Sequence, residues 1–221
     1  MLFRSLGATP GPLDLAGGLI PVQNWYAPSL TSPTETGVAE WDTQAIVDLL
    51  KTGVATPAGA LVAVAGPMSE VVSGGTQYLS ERDLRAMATY LKALVPSAPA
   101  RSQPVAARST AAVDGLGAKL YEQQCAQCHG EQGAGVPGIY AALAGNRAVT
   151  LPTPANLVHA VLEGGFAPAT AGNPQPFGMP PFATVLSDDD VAQLLTFVRG
   201  SWGNGAAAVS AFEVRRYRGA R

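Results

Sequence analysis

Two stretches of the chain, Leu79–Lys92 (LSERDLRAMATYLK) and Leu186–Arg199 (LSDDDVAQLLTFVR), align without a gap, and this repeat restricts the fold more than any other feature. Leu, Ser, Asp and Thr are identical between them, and most other positions are conservative pairs. Each copy starts with a serine followed by acidic residues, which is how a capped helix begins. Apolar residues then recur with a helical period at Leu84, Met87 and Leu91, and again at Val191, Leu194 and Val198. The pattern predicts two copies of one terminal helix with the same inward face, and it places Met87 in a core.

The repeat continues upstream at a shifted offset. Ala45–Gly53 (AIVDLLKTG) pairs with Leu157–Gly165 (LVHAVLEGG), each a short helix closed by glycine. Between the two helices of each copy runs a loop with a methionine, Gly66-Pro67-Met68 in one and Gly178-Met179-Pro180 in the other. Pro96, Pro99 and Pro104 stand among Ala, Ser and Arg and have little to bury, so residues 96–112 read as a linker. The expected organisation is therefore a first unit at 1–95, the linker, a second unit at 113–203 and a basic tail at 204–221. The tail (Arg215, Arg216, Arg218, Arg221) reads as solvated. Leu61–Val64 is the one short strand candidate, so the class is all-α with much loop. The 25 glycines and 18 prolines, about a fifth of the chain, fit that reading.

The copies differ where chemistry can occur. The chain has two cysteines and two histidines, and Cys125, Cys128 and His129 form a CxxCH run in the second copy only. Two thiols three positions apart on one helical turn can reach the two vinyl groups of a haem and form thioethers. The adjacent histidine then faces the iron. A structural zinc site needs four ligands, and His159 alone cannot complete one. A thiol redox pair would want a βαβ setting, and a disulfide across two residues would close almost no loop. Met179, 50 residues after His129 in FGMPPF, is the candidate sixth ligand, against the commoner role of a methionine as core filler. A His/Met pair leaves no open coordination position, which favours electron transfer over catalysis. His159 offers a rival bis-His arrangement, but it aligns with Val47 and reads as structural. Arg147 reads equally as a partner for a haem propionate or as a solvated loop residue.

Residues 113–202 resemble a class I cytochrome c domain. Gly117 and Tyr121 stand where that family has the glycine and aromatic of its N-terminal helix. The resemblance implies that they cross the last helix at Leu194, Phe197 and Val198. Leu143-Ala144-Gly145 resembles the family's P-x-L-x-G turn with Ala141 in place of proline. In the family that residue's carbonyl accepts from the proximal histidine, so a slightly looser site is expected. The first copy is similar to the middle domain of multihaem cytochrome c subunits of membrane-associated alcohol and aldehyde dehydrogenases, a chain type also paired with some molybdenum hydroxylases. That likeness rests on Trp25–Thr31 (WYAPSLT) and Gly66–Val72 (GPMSEVV), and it implies an axial role for Met68. The first copy has no CxxCH, so it is expected to be an incomplete cytochrome c-like unit from a longer, N-terminally shortened subunit, a split-gene partner, or a unit that has lost its haem.

The resulting expectation is an electron carrier rather than an enzyme, with one covalent haem c on Cys125 and Cys128 and with His129 and Met179 on the iron. The alternative is a haem sensor or ligand-binding module with an open sixth position. A peroxidase would need a distal acid or base, for which only His159 is available. The resemblance implies a dehydrogenase subunit or neighbouring haem domain as electron donor and quinone or an oxidase as acceptor. It also implies a periplasmic location or the outer face of the inner membrane, although the N-terminus is a poor signal peptide. The net charge of −2 supplies no field for nucleic acid, and no apolar stretch approaches a membrane span.

Overall fold

A computed structural model describes residues 15, 17–57, 61–94 and 115–218. The linker expected at 96–112 lies outside the described residues. The first half opens with a two-residue β-ladder, β1 (Gly18–Leu19) against β2 (Tyr26–Ala27). Helix α1 (Thr43–Thr52) follows, its first turn capped by the Asp42 carboxylate accepting from the Ala45 amide at 2.8 Å. It ends at Gly53 in the left-handed region, where a side chain would be strained. A second ladder joins β3 (Val54–Ala55) to β4 (Val62–Ala63) and leads into α2 (Pro67–Gly74) and α3 (Glu81–Ala93).

The second half begins with α4 (Gly115–Gln124) and the short α5 (Ala126–His129). After α6 (Arg147–Thr150) and α7 (Ala155–Glu163), a third ladder pairs β5 (Gly165–Phe166) with β6 (Gly178–Met179). Helix α8 (Asp188–Gly200) carries a complete capping box. The Ser187 hydroxyl accepts from the Asp190 amide, and the Asp190 carboxylate accepts from the Ser187 amide. The described chain is mostly helical, and its strands are all two residues long, one of them inside the predicted 61–64 segment.

The main core belongs to the second half and gathers Val158, Leu162, Val191, Leu194, Leu195 and Val198 from α7 and α8. Helix α4 crosses α8 at Gly117, where an added Cβ would lie 2.5 Å from the Gln193 carbonyl oxygen. Tyr121 fills the crossing with its ring centroid 5.5 Å from that of Phe197 and 4.9 Å from that of Trp202. A smaller core around Ile46, Val47, Leu50, Leu84 and Ala88 holds α1 against α3. The prediction for Met87 fails here, since its side chain is 37% exposed. Leu84 and Ala88 carry the buried face of α3, and Met87 and Tyr90 lie outside it.

The basic tail is only partly solvated: Arg215 and Arg216 are exposed and Arg221 lies outside the described residues, while the tail helix itself docks. Helix α9 (Ala211–Arg218) packs on α7 and α8 with Val214 and Tyr217 buried. Its Arg218 donates to the Asp188 carboxylate at 2.6 Å and to the Leu186 carbonyl at 2.8 Å. The local signal was present. Ser210 and Glu213 form a capping box, and Val214 and Tyr217 sit three positions apart. Upstream of this helix, the buried Arg199 donates to the carbonyls of Ala207, Val149 and Leu151 at 2.7, 2.7 and 3.0 Å. All of these acceptors are backbone oxygens, so the guanidinium ties the end of α6 to the segment leading into α9.

The halves meet along α7 and the loop that follows it. The Asn156 side chain accepts from the Tyr26 amide and donates to the Tyr26 carbonyl, both at 2.8 Å. Thr170 donates its hydroxyl to the Thr52 carbonyl at 3.1 Å. Arg147, considered above for a propionate, turns to the first half instead, reaching the Thr36 carbonyl at 3.3 Å and Glu40 at 3.5 Å.

Candidate haem-binding site

The CxxCH run folds as the sequence dictates. The Tyr121 carbonyl accepts the Cys125 amide at 2.9 Å, so α4 continues almost directly into α5. The Cys125 carbonyl then accepts from the Cys128 and His129 amides at 3.2 and 2.9 Å. This single turn places both thiols and the imidazole on the lining of one cleft of about 960 Å³. Gly130, in a positive-φ conformation, ends the turn. The Tyr121 hydroxyl closes it by donating to the Gly130 carbonyl at 2.6 Å.

His129 Nδ1 lies 2.9 Å from the Ala141 carbonyl oxygen. That contact fixes the tautomer with Nδ1 protonated and leaves Nε2 as the ring nitrogen with a free lone pair. Proline is absent at 141, and hydrogen bonds hold the carbonyl in its place. The Leu143 and Ala144 amides both donate to the Gly133 carbonyl, at 2.7 and 3.0 Å. The buried Asn204 side chain accepts from the Gly145 amide and donates to the carbonyls of Leu143 and Val198, at 2.9, 3.0 and 2.9 Å. Gly135 passes so close that an added Cβ would sit 2.4 Å from the Tyr140 carbonyl oxygen. Asn204 is a positioning residue that the local sequence does not mark. An asparagine after a helix C-terminus carries no local sign that its partners lie some 60 residues earlier.

Met179 lines the same cleft from β6. Its strand is pinned to the end of α7, because Gly164 brings the backbone so close that a Cβ would stand 2.3 Å from the Met179 carbonyl oxygen. The following residues continue along α7, where Phe182 donates to the Val161 carbonyl and Ala183 to that of Leu162, at 3.0 and 3.1 Å. Cys125, Cys128, His129 and Met179 thus all line one cavity. Met68 and His159 do not line that cavity. Met68 is on the first turn of α2 and partly exposed. His159 is 2% exposed, with Nδ1 3.1 Å from a Glu163 carboxylate oxygen and its ring stacked on Trp25 at 4.8 Å. Its Nε2 has no hydrogen-bond partner among the described residues.

The environment suits a large, flat, mostly apolar group. Both cysteines are half-buried and unpaired. Burial, and then the neighbouring Cys128, push the Cys125 thiol up to about 11. A redox thiol needs the opposite shift, so Cys125 is poorly placed for thiol–disulfide exchange. Among the described residues no group of three or more His, Cys, Asp or Glu side chains could hold a metal ion. A c-type haem with His/Met ligation would need two thiols, one imidazole oriented through its other nitrogen, and an apolar cavity with a thioether on its lining. The donor set here meets that list.

Comparison with known proteins agrees. Residues 114–198 match the family model described as cytochrome C oxidase, cbb3-type, subunit III. The chain is 37% identical over 226 residues to the alcohol dehydrogenase (quinone) cytochrome c subunit of Gluconobacter oxydans, covering 99% of this chain and 46% of that protein. It is 33% identical over 214 residues to the gluconate 2-dehydrogenase cytochrome c subunit of Pantoea cypripedii, covering 92% and 47%. The fructose dehydrogenase cytochrome subunit of Gluconobacter japonicus is 31% identical over 222 residues, covering 89% and 44%. The chain spans somewhat under half the length of the relatives it matches. The docked helices, the CxxCH turn and these matches lead to one conclusion: the chain carries a cytochrome c domain and is homologous to the cytochrome c subunits of quinone alcohol, gluconate and fructose dehydrogenases.

Proposed function

We propose that this chain carries electrons through one haem c, held by Cys125 and Cys128 and ligated at iron by His129 and Met179, as part of a dehydrogenase cytochrome subunit. One observation carries the reading. These four side chains line a single cleft, with the imidazole oriented by the Ala141 carbonyl. The haem, when bound, supplies the one-electron Fe(III)/Fe(II) couple. The chain's own residues do the rest. His129 donates its Nδ1 proton to a backbone oxygen, which raises the basicity of Nε2. Met179 would be the second protein ligand to the iron, and a thioether in that role would favour the reduced state and raise the potential. Phe182 and the α7 backbone hold the Met179 strand in place.

A dehydrogenase catalytic subunit or a neighbouring haem domain is the proposed donor, and quinone or an oxidase the proposed acceptor. Covalent haem attachment would support a periplasmic location or the outer face of the inner membrane for the mature protein. No described helix is long and apolar enough to cross a membrane. The first half is read as a cytochrome c-like repeat without an attachment motif.

The test is the denaturing intact mass of protein matured in an export-competent host, with its reduced visible spectrum and carbon monoxide binding. The expected result is a mass gain of one haem, a c-type spectrum and no carbon monoxide adduct. Met179→Ala should keep the mass, lower the potential and open the iron to carbon monoxide. Unchanged spectrum and potential in that variant would replace the carrier reading with a ligand-binding module. A chain with no covalent haem after competent maturation would end both.

A further inference from the structure

We infer that the first half, which has no haem-attachment motif, is a working part of the second half's haem site, closing the cofactor cleft with Trp25 and placing Glu70 on its wall. The inference rests on the haem reading above and adds residues to it. The cleft bearing Cys125, Cys128 and His129 is also lined by Trp25, Ala65, Gly66, Pro67 and Glu70.

Three observations make this wall a fixed part of the site. First, the indole cannot swing freely. One neighbour is the His159 ring, with centroids 4.8 Å apart and planes within 17°. Gly66 is another, so close that a Cβ there would lie 2.5 Å from the indole Cδ2. Gly66 has φ +54, so glycine serves both the backbone turn and the close passage of loop and ring.

Second, the next residue is clamped. The Tyr26 amide and carbonyl both engage the Asn156 side chain at 2.8 Å. Third, Asn156 and His159 stand on α7, the same helix whose Ala160 and Glu163 line the cleft. One helix therefore registers the first half against the cavity it covers. Thr170 on Thr52 repeats the registration beyond the end of that helix.

The physical consequence has two signs. Trp25 keeps water from one side of the cleft, and excluding water disfavours the more highly charged ferric haem. Glu70 places an exposed carboxylate on the same wall, and a negative charge there favours the ferric state, less so at high salt.

The experiment uses the full chain with covalent haem and measures midpoint potentials of Trp25→Ala, Trp25→Phe and Glu70→Gln. Glu81→Gln serves as control, an exposed carboxylate on α3 outside the cleft. In each, the intact mass and reduced spectrum first establish that haem and ligands are retained. The expected results are a lower potential in Trp25→Ala, recovery in Trp25→Phe, and a rise in Glu70→Gln that shrinks with added salt and is absent in Glu81→Gln. The Trp25 indole resonance, assigned by its loss in Trp25→Phe, should be displaced by the haem. If Trp25→Ala fails to fold, the Glu70→Gln shift and the indole resonance decide. Potentials that match wild type together with an undisplaced indole would overturn the inference while leaving the haem reading intact. Wild type without covalent haem would overturn both.

Discussion

Helices α3 and α8 descend from one pattern and have different surroundings. Leu194 on α8 is 1% exposed, and its counterpart Met87 on α3 is 37% exposed. Both helices start at a serine cap and carry acidic residues in the first turn. What separates them is α4, which crosses α8 at Gly117 and brings Tyr121 into the crossing. The same amphipathic pattern therefore gives a central helix in one half and a peripheral one in the other. An apolar position is buried only where a partner element arrives to cover it.

The largest effect should come from the aligned pair itself. Leu194→Ala empties part of the main core and should cost about 2–5 kcal/mol. Met87→Ala should cost under about 1 kcal/mol. Denaturant melts of the two variants measure the difference directly, and equal losses would mean that α3 is covered as fully as α8.

Gly117→Ala should cost about 1–3 kcal/mol, because the new methyl meets backbone at the crossing and forces α4 away from α8. The same change at Gly74 in the first half, where an added Cβ meets nothing within 4 Å, should be neutral or slightly stabilising.

Asn204→Ala should cost about 1–3 kcal/mol by leaving the Gly145 amide and two carbonyls without partners. It should also shift the haem potential, since the turn holding the Ala141 carbonyl loosens. Asn204→Asp should recover part of both through its remaining acceptor. Redox titration beside the melt separates positioning from simple stability.

The smallest effect is pH-dependent. Partial burial would raise the Asp188 pKa, but hydrogen bonds from Arg218 and Arg215 and their charges prevail and hold it below 3.8. A carboxylate depressed in the folded state contributes stability above its unfolded pKa and loses it as pH falls through the folded value. Asp188→Asn should therefore lower stability near neutral pH by about 0.2–1 kcal/mol, with the gap closing in melts below pH 3.8.

Some of this molecule was readable residue by residue. The serine caps, the glycine after α1 and the CxxCH turn act through neighbours a few positions away, so their geometry follows from local chemistry. That Met179 lines the cleft was legible because glycine and prolines around a methionine mark a constrained loop. Helix α9 was legible in principle through Ser210 and Glu213, but its three arginines suggested solvent. Two of them reach partners some 30 residues away, Arg215 and Arg218 the Asp188 carboxylate and Arg218 also the Leu186 carbonyl.

The repeat, the capped helices and the thiol–imidazole turn were determined by the sequence alone, because each depends on short-range hydrogen bonding and period. Tertiary structure alone decided that Met87 stays exposed, that Arg147 reaches Thr36, and that Trp25 stacks on His159 beside the haem cleft. Those outcomes depend on surfaces more than 100 residues apart, or on a crossing helix that packs on α8 and has no counterpart against α3 among the described residues. No local preference encodes which of two similar apolar faces will find a partner.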